Sequence, residues 1–187
     1  MHIKYPEHVE ANWVFAYGSL IWNPGIVYRR AERARLYGYH RAFCIRSTRY
    51  RGTPEQPGVV LGLDRGGACA GLAFELDPAS RMEALQALFQ REVPDWAERV
   101  YRPTLVRAHL ARGEPVMALA FVAESASRWY RRLSESELID TLRASCGQRG
   151  PNRDYAINTW AALQAHGVHD PQLERIVRRL SETDLAG

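Results

Sequence analysis

The chain has 187 residues, of which 46% are hydrophobic and 25% charged, and a formal net charge of +4. These values are typical of one globular domain spanning residues 1–187, and no apolar run approaches the ~20 residues of a membrane-spanning helix, so we expect no membrane partner. Residues 1–12 are a polar lead-in without the apolar segment of a signal peptide, and we therefore expect a cytoplasmic protein.

The first predicted element is a strand that opens into a loop, in the segment WVFAYGSLIWNPG at 13–25. Its apolar and aromatic start is typical of a strand, which breaks at Gly18 and Ser19 before a turn at Pro24 and Gly25. Because glycine has no Cβ, such a loop can bring backbone N–H groups close to a ligand. We therefore interpret it as a candidate binding loop.

Arginines are concentrated between Arg29 and Arg51, where eight stand against one acid, Glu32, with tyrosines between them. A basic stripe interleaved with aromatic residues can bind single-stranded nucleic acid. It can also be the solvated face of a twisted strand, in a chain where Lys4 is the only lysine. A third interpretation is that a few of these guanidinium groups bind a small anionic substrate, since their shape matches a carboxylate. We expect no nucleic-acid partner.

Five further segments are predicted as strands from their alternating or continuous apolar residues. They are Leu36–Ser47, Gly58–Asp64, Ala68–Leu76, Thr104–Leu110 and Val116–Glu124. The second and third are separated by Arg65, Gly66 and Gly67, and because adjacent glycines accept positive φ, we predict a hairpin there.

A helix is predicted between Ser80 and Pro94. Ser80 and Glu83 have the spacing of a capping box, in which the hydroxyl and the carboxylate satisfy free amides of the first turn. Glu92 follows Leu88 by four residues, so it lies on the apolar face of this helix. A carboxylate there is costly unless it is paired or used, and the negative end of the helix dipole should raise its pKa.

Two interpretations of Glu92 stay open on pattern alone. An acid with a raised pKa is suited to general base chemistry near neutral pH. In the alternative, the last helical turn is frayed and Glu92 is in water or paired with Arg91.

The last third of the chain predicts three helices. They run from Ser134 to a close at Gly147, from a cap at Asn152 to Gly167, and from Asp170 onward with Leu173, Ile176, Val177 and Leu180 as the buried stripe. Ser134 and Glu137 have the spacing of a second capping box. The whole pattern predicts an α+β fold of about six mostly antiparallel strands with one inserted helix, followed by three helices packed against them.

Other constellations give no recognised site. Three widely separated cysteines, Cys44, Cys69 and Cys146, form no Cys-x-x-Cys motif, so we expect buried or incidental thiols. His166 and His169 have no third ligand in the pattern, and we predict no metal. Ser19 is not in a Gly-x-Ser-x-Gly motif, and the Tyr17–Ser19 segment lacks the glycine spacing of a nucleotide-binding loop, so we predict no cofactor.

Several motifs occur together in one order: VFAYGSLIWNPG, GYHRAFCIRSTRYRGTPEQPGVVLGLD, LFQREV followed by Tyr-x-Pro-Thr at 101–104, and GPNRDYAINTWAAL with GVHDPQLERI. Over about 13–180 the chain resembles the ChaC-like γ-glutamylcyclotransferases. The resemblance implies the γ-glutamylcyclotransferase-like fold, a mixed, mostly antiparallel sheet curling toward a barrel and flanked by helices. It also implies a lyase that cyclises the γ-glutamyl group of glutathione, giving 5-oxoproline and Cys-Gly without metal or cofactor.

The resemblance also implies site residues. The catalytic acid corresponds to Glu92, and a tyrosine of the wider fold is similar to Tyr101. The substrate-binding segment corresponds to Val14, Phe15, Ala16, Tyr17, Gly18, Ser19 and Leu20. An alternative substrate is another γ-glutamyl amine or amino acid, and a less favoured alternative function is nucleic-acid binding through Arg29–Arg51.

The implied chemistry gives the acid and the loop separate roles. Glu92 would deprotonate the substrate's own α-amine and then protonate the leaving nitrogen. Backbone N–H groups of residues 17–20 would stabilise the oxyanion. Arg41, Arg46 and Arg51 are candidates for binding the substrate carboxylates.

Overall fold

The computed structural model describes residues 11–113 and 115–182, and two long antiparallel strands organise it. The strands are β1 (Trp13–Ala16), β2 (Tyr28–Ser47), β3 (Gly58–Leu76), β4 (Tyr101–Leu110), β5 (Pro115–Ala123), and the two-residue β6 (Cys146–Gly147) and β7 (Gly150–Pro151). The helices are α1 (Arg81–Glu92), α2 (Glu135–Ala144), α3 (Asn152–Ala165) and α4 (Pro171–Glu182), with short 3₁₀ turns at Ser19–Ile21 and Trp96–Glu98.

The first five strands close into a barrel in the order β1-β3-β2-β4-β5. Most neighbours are antiparallel, but β5 pairs in parallel with β1, where Trp13 lies opposite Ala118. Aromatic side chains fill the interior, and Phe15, Phe74 and Phe121 are at most 1% exposed. The α+β prediction is confirmed, and the sheet is a closed barrel with helices around it.

The predicted hairpin at 65–67 is wrong. Gly66 and Gly67 do have positive φ, at 93° and 71°, but the chain continues in one direction as β3. Gly38 on the neighbouring strand also has positive φ, 83°, and the register shifts there, so both strands bend together as a β-bulge. The glycines therefore curve a continuous strand, and the barrel has five strands where six were expected.

The two predicted capping boxes have different outcomes. Ser134 is extended, with φ −62° and ψ 162°, and it forms the complete box with Glu137. Ser80 has ψ 13° and its side chain makes no capping hydrogen bond, so the box with Glu83 is absent. The reason is conformational, because an N-cap residue needs a β-region backbone to turn its side chain back over the first turn.

The C-terminal helices form as predicted, with two corrections at their ends. Gly147 does not close α2, which stops at Ala144, and belongs instead to β6. Asn152 does not cap α3, because its side chain hydrogen-bonds both the N–H and the carbonyl of Val59 across the domain. Across the described ranges, none of the helices is long and apolar enough to cross a membrane.

Candidate active site

A cavity of about 560 Å³ lies at one end of the barrel. The turn after β1, the end of α1, the start of β4 and the start of α3 all contribute to it, and so do residues 45–51 of β2 and the following loop. Its lining includes Ser19, Trp22, Arg46, Arg49, Arg51, Arg91, Glu92, Tyr101, Arg149 and Tyr155. Among the described residues that line it, none is a histidine, and its acids are Glu92 and Glu98.

Glu92 is the last residue of α1, and its side chain is 16% exposed in this cavity. Burial raises the pKa of the Glu92 carboxyl, against the opposing effect of the Arg91 and Arg149 cations. Arg91 Nε lies 3.0 Å from Glu92 Oε1. Glu92 therefore lines the cavity and also pairs with Arg91. The last turn of α1 is not frayed, because the helix extends to Glu92.

Arg91 joins the acid to the predicted binding loop. One of its terminal nitrogens donates to Ser19 Oγ at 2.8 Å, and the other donates to the carbonyl of Asn23. The side chain is only 17% exposed. Because one guanidinium contacts Glu92, Ser19 and Asn23, it fixes the position of the 3₁₀ turn relative to the carboxylate.

Two tyrosines face the acid with different hydrogen bonds. The Tyr101 hydroxyl donates to the carbonyl of Leu61 at 2.9 Å. The Tyr155 hydroxyl accepts from the N–H of Leu61 at 3.2 Å, and this bond does not use its own proton. Burial is the main cause that raises the pKa of both hydroxyls, and the Glu92 charge adds to it. Both therefore stay neutral hydrogen-bonding groups.

Gly18 lies where the Tyr155 side chain approaches the loop closely. A Cβ at this position would lie 3.1 Å from the Tyr155 hydroxyl oxygen, tighter than about nine in ten real Cβ contacts. The backbone after β1 can therefore pass directly over this hydroxyl. The glycine in the sequence indicated a close approach to the backbone at this point. The sequence did not indicate that the approaching group would be the Tyr155 hydroxyl.

The structure places the other predicted loop residues mainly in the core. Val14, Phe15 and Ala16 belong to β1 and are fully buried, and Leu20 is 6% exposed. The Tyr17 hydroxyl donates to the carbonyl of Phe121 at 2.6 Å, away from the cavity. Of the predicted substrate-binding residues, Ser19 and Tyr101 bring their side chains to the cavity lining.

The arginine-rich segment does not form one basic face. Arg41 is buried, lies outside the Glu92 cavity, and donates to the carbonyls of Tyr17 and Ala70 while pairing with Asp170. Arg51 lines the cavity but is also buried, and it donates to the carbonyl of Pro151 at 3.0 Å. Arg46 lines the cavity and is exposed. Of the three candidates for substrate carboxylates, only Arg46 therefore has an exposed guanidinium group at this site.

Sequence reasoning missed Tyr155 and Arg149 as site residues. Both lie more than fifty residues beyond Glu92 in the chain, and no local periodicity connects them to it. For Tyr155 the available signal was the GPNRDY motif at 150–155, which contributed to the family resemblance without an assigned role, and Arg149 directly precedes this motif.

Comparison with known proteins identifies relatives over most of the chain. Residues 12–183 match the model of the ChaC-like protein family. The glutathione-specific γ-glutamylcyclotransferase of Escherichia coli (strain K12) is 33% identical, over 88% of this chain and 71% of that protein. The glutathione-specific γ-glutamylcyclotransferase 1 of Mus musculus is 32% identical, over 90% and 77%. A yeast γ-glutamyl cyclotransferase specific to glutathione has the same fold, with a TM-score of 0.81 at 20% identity over 91% of this chain and 95% of that one.

Proposed function

The chain belongs to the ChaC-like protein family, and from this premise we propose that it is a glutathione-specific γ-glutamylcyclotransferase. Such a lyase converts glutathione into 5-oxoproline and Cys-Gly. The observation that carries the proposal is Glu92, a carboxylic acid of raised pKa in a cavity of about 560 Å³. Pockets of this size hold small-molecule substrates.

Glu92 moves the proton that the reaction requires. The substrate's α-amine attacks its own γ-carbonyl carbon, which forms the ring C–N bond. Glu92 accepts the proton from this nitrogen and then donates it to the departing cysteinyl nitrogen as the original amide bond breaks. A raised pKa brings the carboxyl closer to the operating pH, where it can serve in both directions.

We infer that the oxyanion is bound by donors from the turn after β1 and from Tyr155. The N–H groups of Ser19 and Leu20 precede the first hydrogen bond of the 3₁₀ turn, which joins the Ile21 N–H to the Gly18 carbonyl, so they have no partner within the turn. The Tyr155 hydroxyl, with its proton free, adds a third donor. Donors fixed before reaction stabilise the developing charge without reorganisation.

The loop therefore acts through its backbone. Arg91 holds the Ser19 hydroxyl in a hydrogen bond, and the reacting nucleophile is the amine of the substrate itself. The site also accelerates the reaction by holding the γ-glutamyl group folded, with its amine close to its carbonyl carbon. The extended conformer cannot cyclise.

We also place the enzyme in the cytoplasm, without a nucleic-acid partner. All three cysteines are free, including the exposed Cys146, which suits a reducing compartment. The buried positions of Arg41 and Arg51 divide the basic stripe that a nucleic acid would need.

Product analysis across a substrate panel tests the proposal. Purified protein is incubated with glutathione, with γ-glutamyl dipeptides and with γ-glutamyl amines, and 5-oxoproline is measured. We expect turnover of glutathione with equal amounts of Cys-Gly. Turnover confined to γ-glutamyl amines or dipeptides would keep the cyclisation and change the substrate, and no 5-oxoproline from any of them would refute the function.

A further inference from the structure

Arg49 and Arg149 both line the Glu92 cavity, on two segments joined by main-chain hydrogen bonds. The N–H of Gln148 donates to the carbonyl of Arg49, and the N–H of Arg149 donates to the carbonyl of Tyr50, both at 2.9 Å. Residues 148 and 149 form the turn between β6 and β7. The two arginines are therefore presented by a paired backbone and not by independent loops.

Glycine at position 147 makes this pairing possible. A Cβ there would lie 2.6 Å from the carbonyl carbon of Tyr50 and 2.6 Å from the backbone nitrogen of Gly52, distances that side chains do not adopt. The β6–β7 turn thus packs backbone against backbone on the segment after β2. This close packing holds the turn that carries Arg149 against the segment that carries Arg49.

One aromatic ring orients both guanidinium groups. The Arg149 guanidinium lies 4.1 Å from the centre of the Tyr50 ring, and that of Arg49 lies 5.3 Å from it. Arg49 also donates from Nε to Gln148 Oε1 at 3.3 Å. Stacking of this kind holds a guanidinium while its N–H groups remain directed outward.

Both cations are available to an anion. The two residues are exposed, and neither forms an ion pair with any residue in 11–113 or 115–182. Glu98, the second acid in the cavity lining, is instead paired with Arg128 at 3.0 Å. Two exposed guanidinium groups in one cavity lining, each without an acidic partner among the described residues, can bind a carboxylate through their N–H groups.

A γ-glutamyl tripeptide carries a carboxylate beyond its scissile amide, and Glu92, Arg49 and Arg149 all line the cavity that would hold it. The C-terminal carboxylate lies two residues beyond the scissile amide, and an extended chain advances about 3.3–3.6 Å per residue, so the separation is about 7 Å. We propose that Arg149 and Arg49 bind this C-terminal carboxylate and thereby select a tripeptide over γ-glutamyl amines. The proposal rests on the proposed function, because it concerns the same cavity.

The proposal is tested by comparing two enzymes on two substrates. Initial rates are measured for the wild-type and Arg149→Gln enzymes on glutathione and on glutathione C-terminal amide, in which that carboxylate is neutral. Arg178→Gln is the matched control, since this arginine is exposed on α4 and, within 11–113 and 115–182, its ion pair is with Glu182 on the same helix. Loss of the Arg149 charge also acts on Glu92, and therefore on both substrates alike, so the ratio of the two effects isolates the carboxylate contact.

We expect Arg149→Gln to reduce kcat/KM about tenfold more on glutathione than on the amide, with the difference arising in KM. Arg49→Gln should give a smaller loss with the same substrate dependence, and Arg178→Gln should give none. An equal loss on both substrates, or no loss on glutathione, would overturn the proposal. Calorimetric binding of both peptides to Glu92→Gln protein, with and without Arg149→Gln, repeats the comparison without turnover, so it decides the carboxylate site even if the cyclisation itself were wrong.

Discussion

Replacing Tyr17 by phenylalanine should destabilise the protein and leave its chemistry intact. The Tyr17 hydroxyl is buried and donates to the carbonyl of Phe121 at 2.6 Å. Pro103, which lies opposite Phe121 in the β4–β5 register, has no N–H with which to replace this donor. Loss of the hydroxyl leaves the buried carbonyl unsatisfied, which costs about 1–3 kcal/mol. In a chain of this size each kcal/mol lowers Tm by about 2–4 °C, so the fall should be about 2–12 °C.

Two measurements on the same preparation decide this prediction. Denaturant or thermal unfolding gives the stability, and 5-oxoproline formation from glutathione gives the activity, which should stay within about threefold of wild type because burial raises the pKa of Tyr17 and its hydroxyl does not line the cavity. Tyr37→Phe is the control, since that ring is 58% exposed and should tolerate the change. A hundredfold loss of activity with an unchanged Tm would refute the reasoning, because it would place the Tyr17 hydroxyl in the reaction.

Three further substitutions test the site. Arg91→Gln removes a cation that lowers the pKa of Glu92, so that pKa should rise and the acidic limb of the kcat/KM profile should move to higher pH; a limb that stays in place would contradict the ion pair. Tyr155→Phe removes a proposed oxyanion donor and should lower kcat about tenfold to a thousandfold at nearly constant KM, whereas a pure KM effect in steady-state kinetics would deny it that role. Ser19→Ala removes only the hydrogen bond from Arg91 and should reduce turnover less than tenfold, so a loss equal to that of Glu92→Gln would show that the hydroxyl takes part.

Several features that depend on local pattern could be predicted from the sequence, although the Ser80 capping box could not. The position of Glu92 on the apolar face of a predicted helix indicated a special role for this acid. In the structure Glu92 lines the cavity, and burial raises the pKa of its carboxyl. The Ser134 capping box and the buried stripe of α4 also follow local spacing, and both form. Each of these features is decided within about two helical turns, where the periodicity of the backbone is sufficient.

Features that depend on distant contacts could not be predicted in this way. Gly66 and Gly67 are equally compatible with a hairpin and with a bulge, and the bend at Gly38 on the paired strand decides between them. Tyr17 lies in the predicted binding loop, yet its hydroxyl turns to Phe121 because that carbonyl lies within hydrogen-bonding reach. Arg149 reaches the site only because Gly147 allows the β6–β7 turn to pack against the segment after β2.

The most direct test of the account is the turnover of glutathione by wild-type and Glu92→Gln protein, measured as 5-oxoproline and Cys-Gly. Glu98→Gln is a matched control, because that acid lines the same cavity but is paired with Arg128. The account predicts equal amounts of the two products from wild type, a loss of about 10²–10⁴-fold in Glu92→Gln and near-normal turnover in Glu98→Gln, with all three proteins folded. Wild-type rates in Glu92→Gln would contradict the assignment of Glu92 as the group that moves the proton.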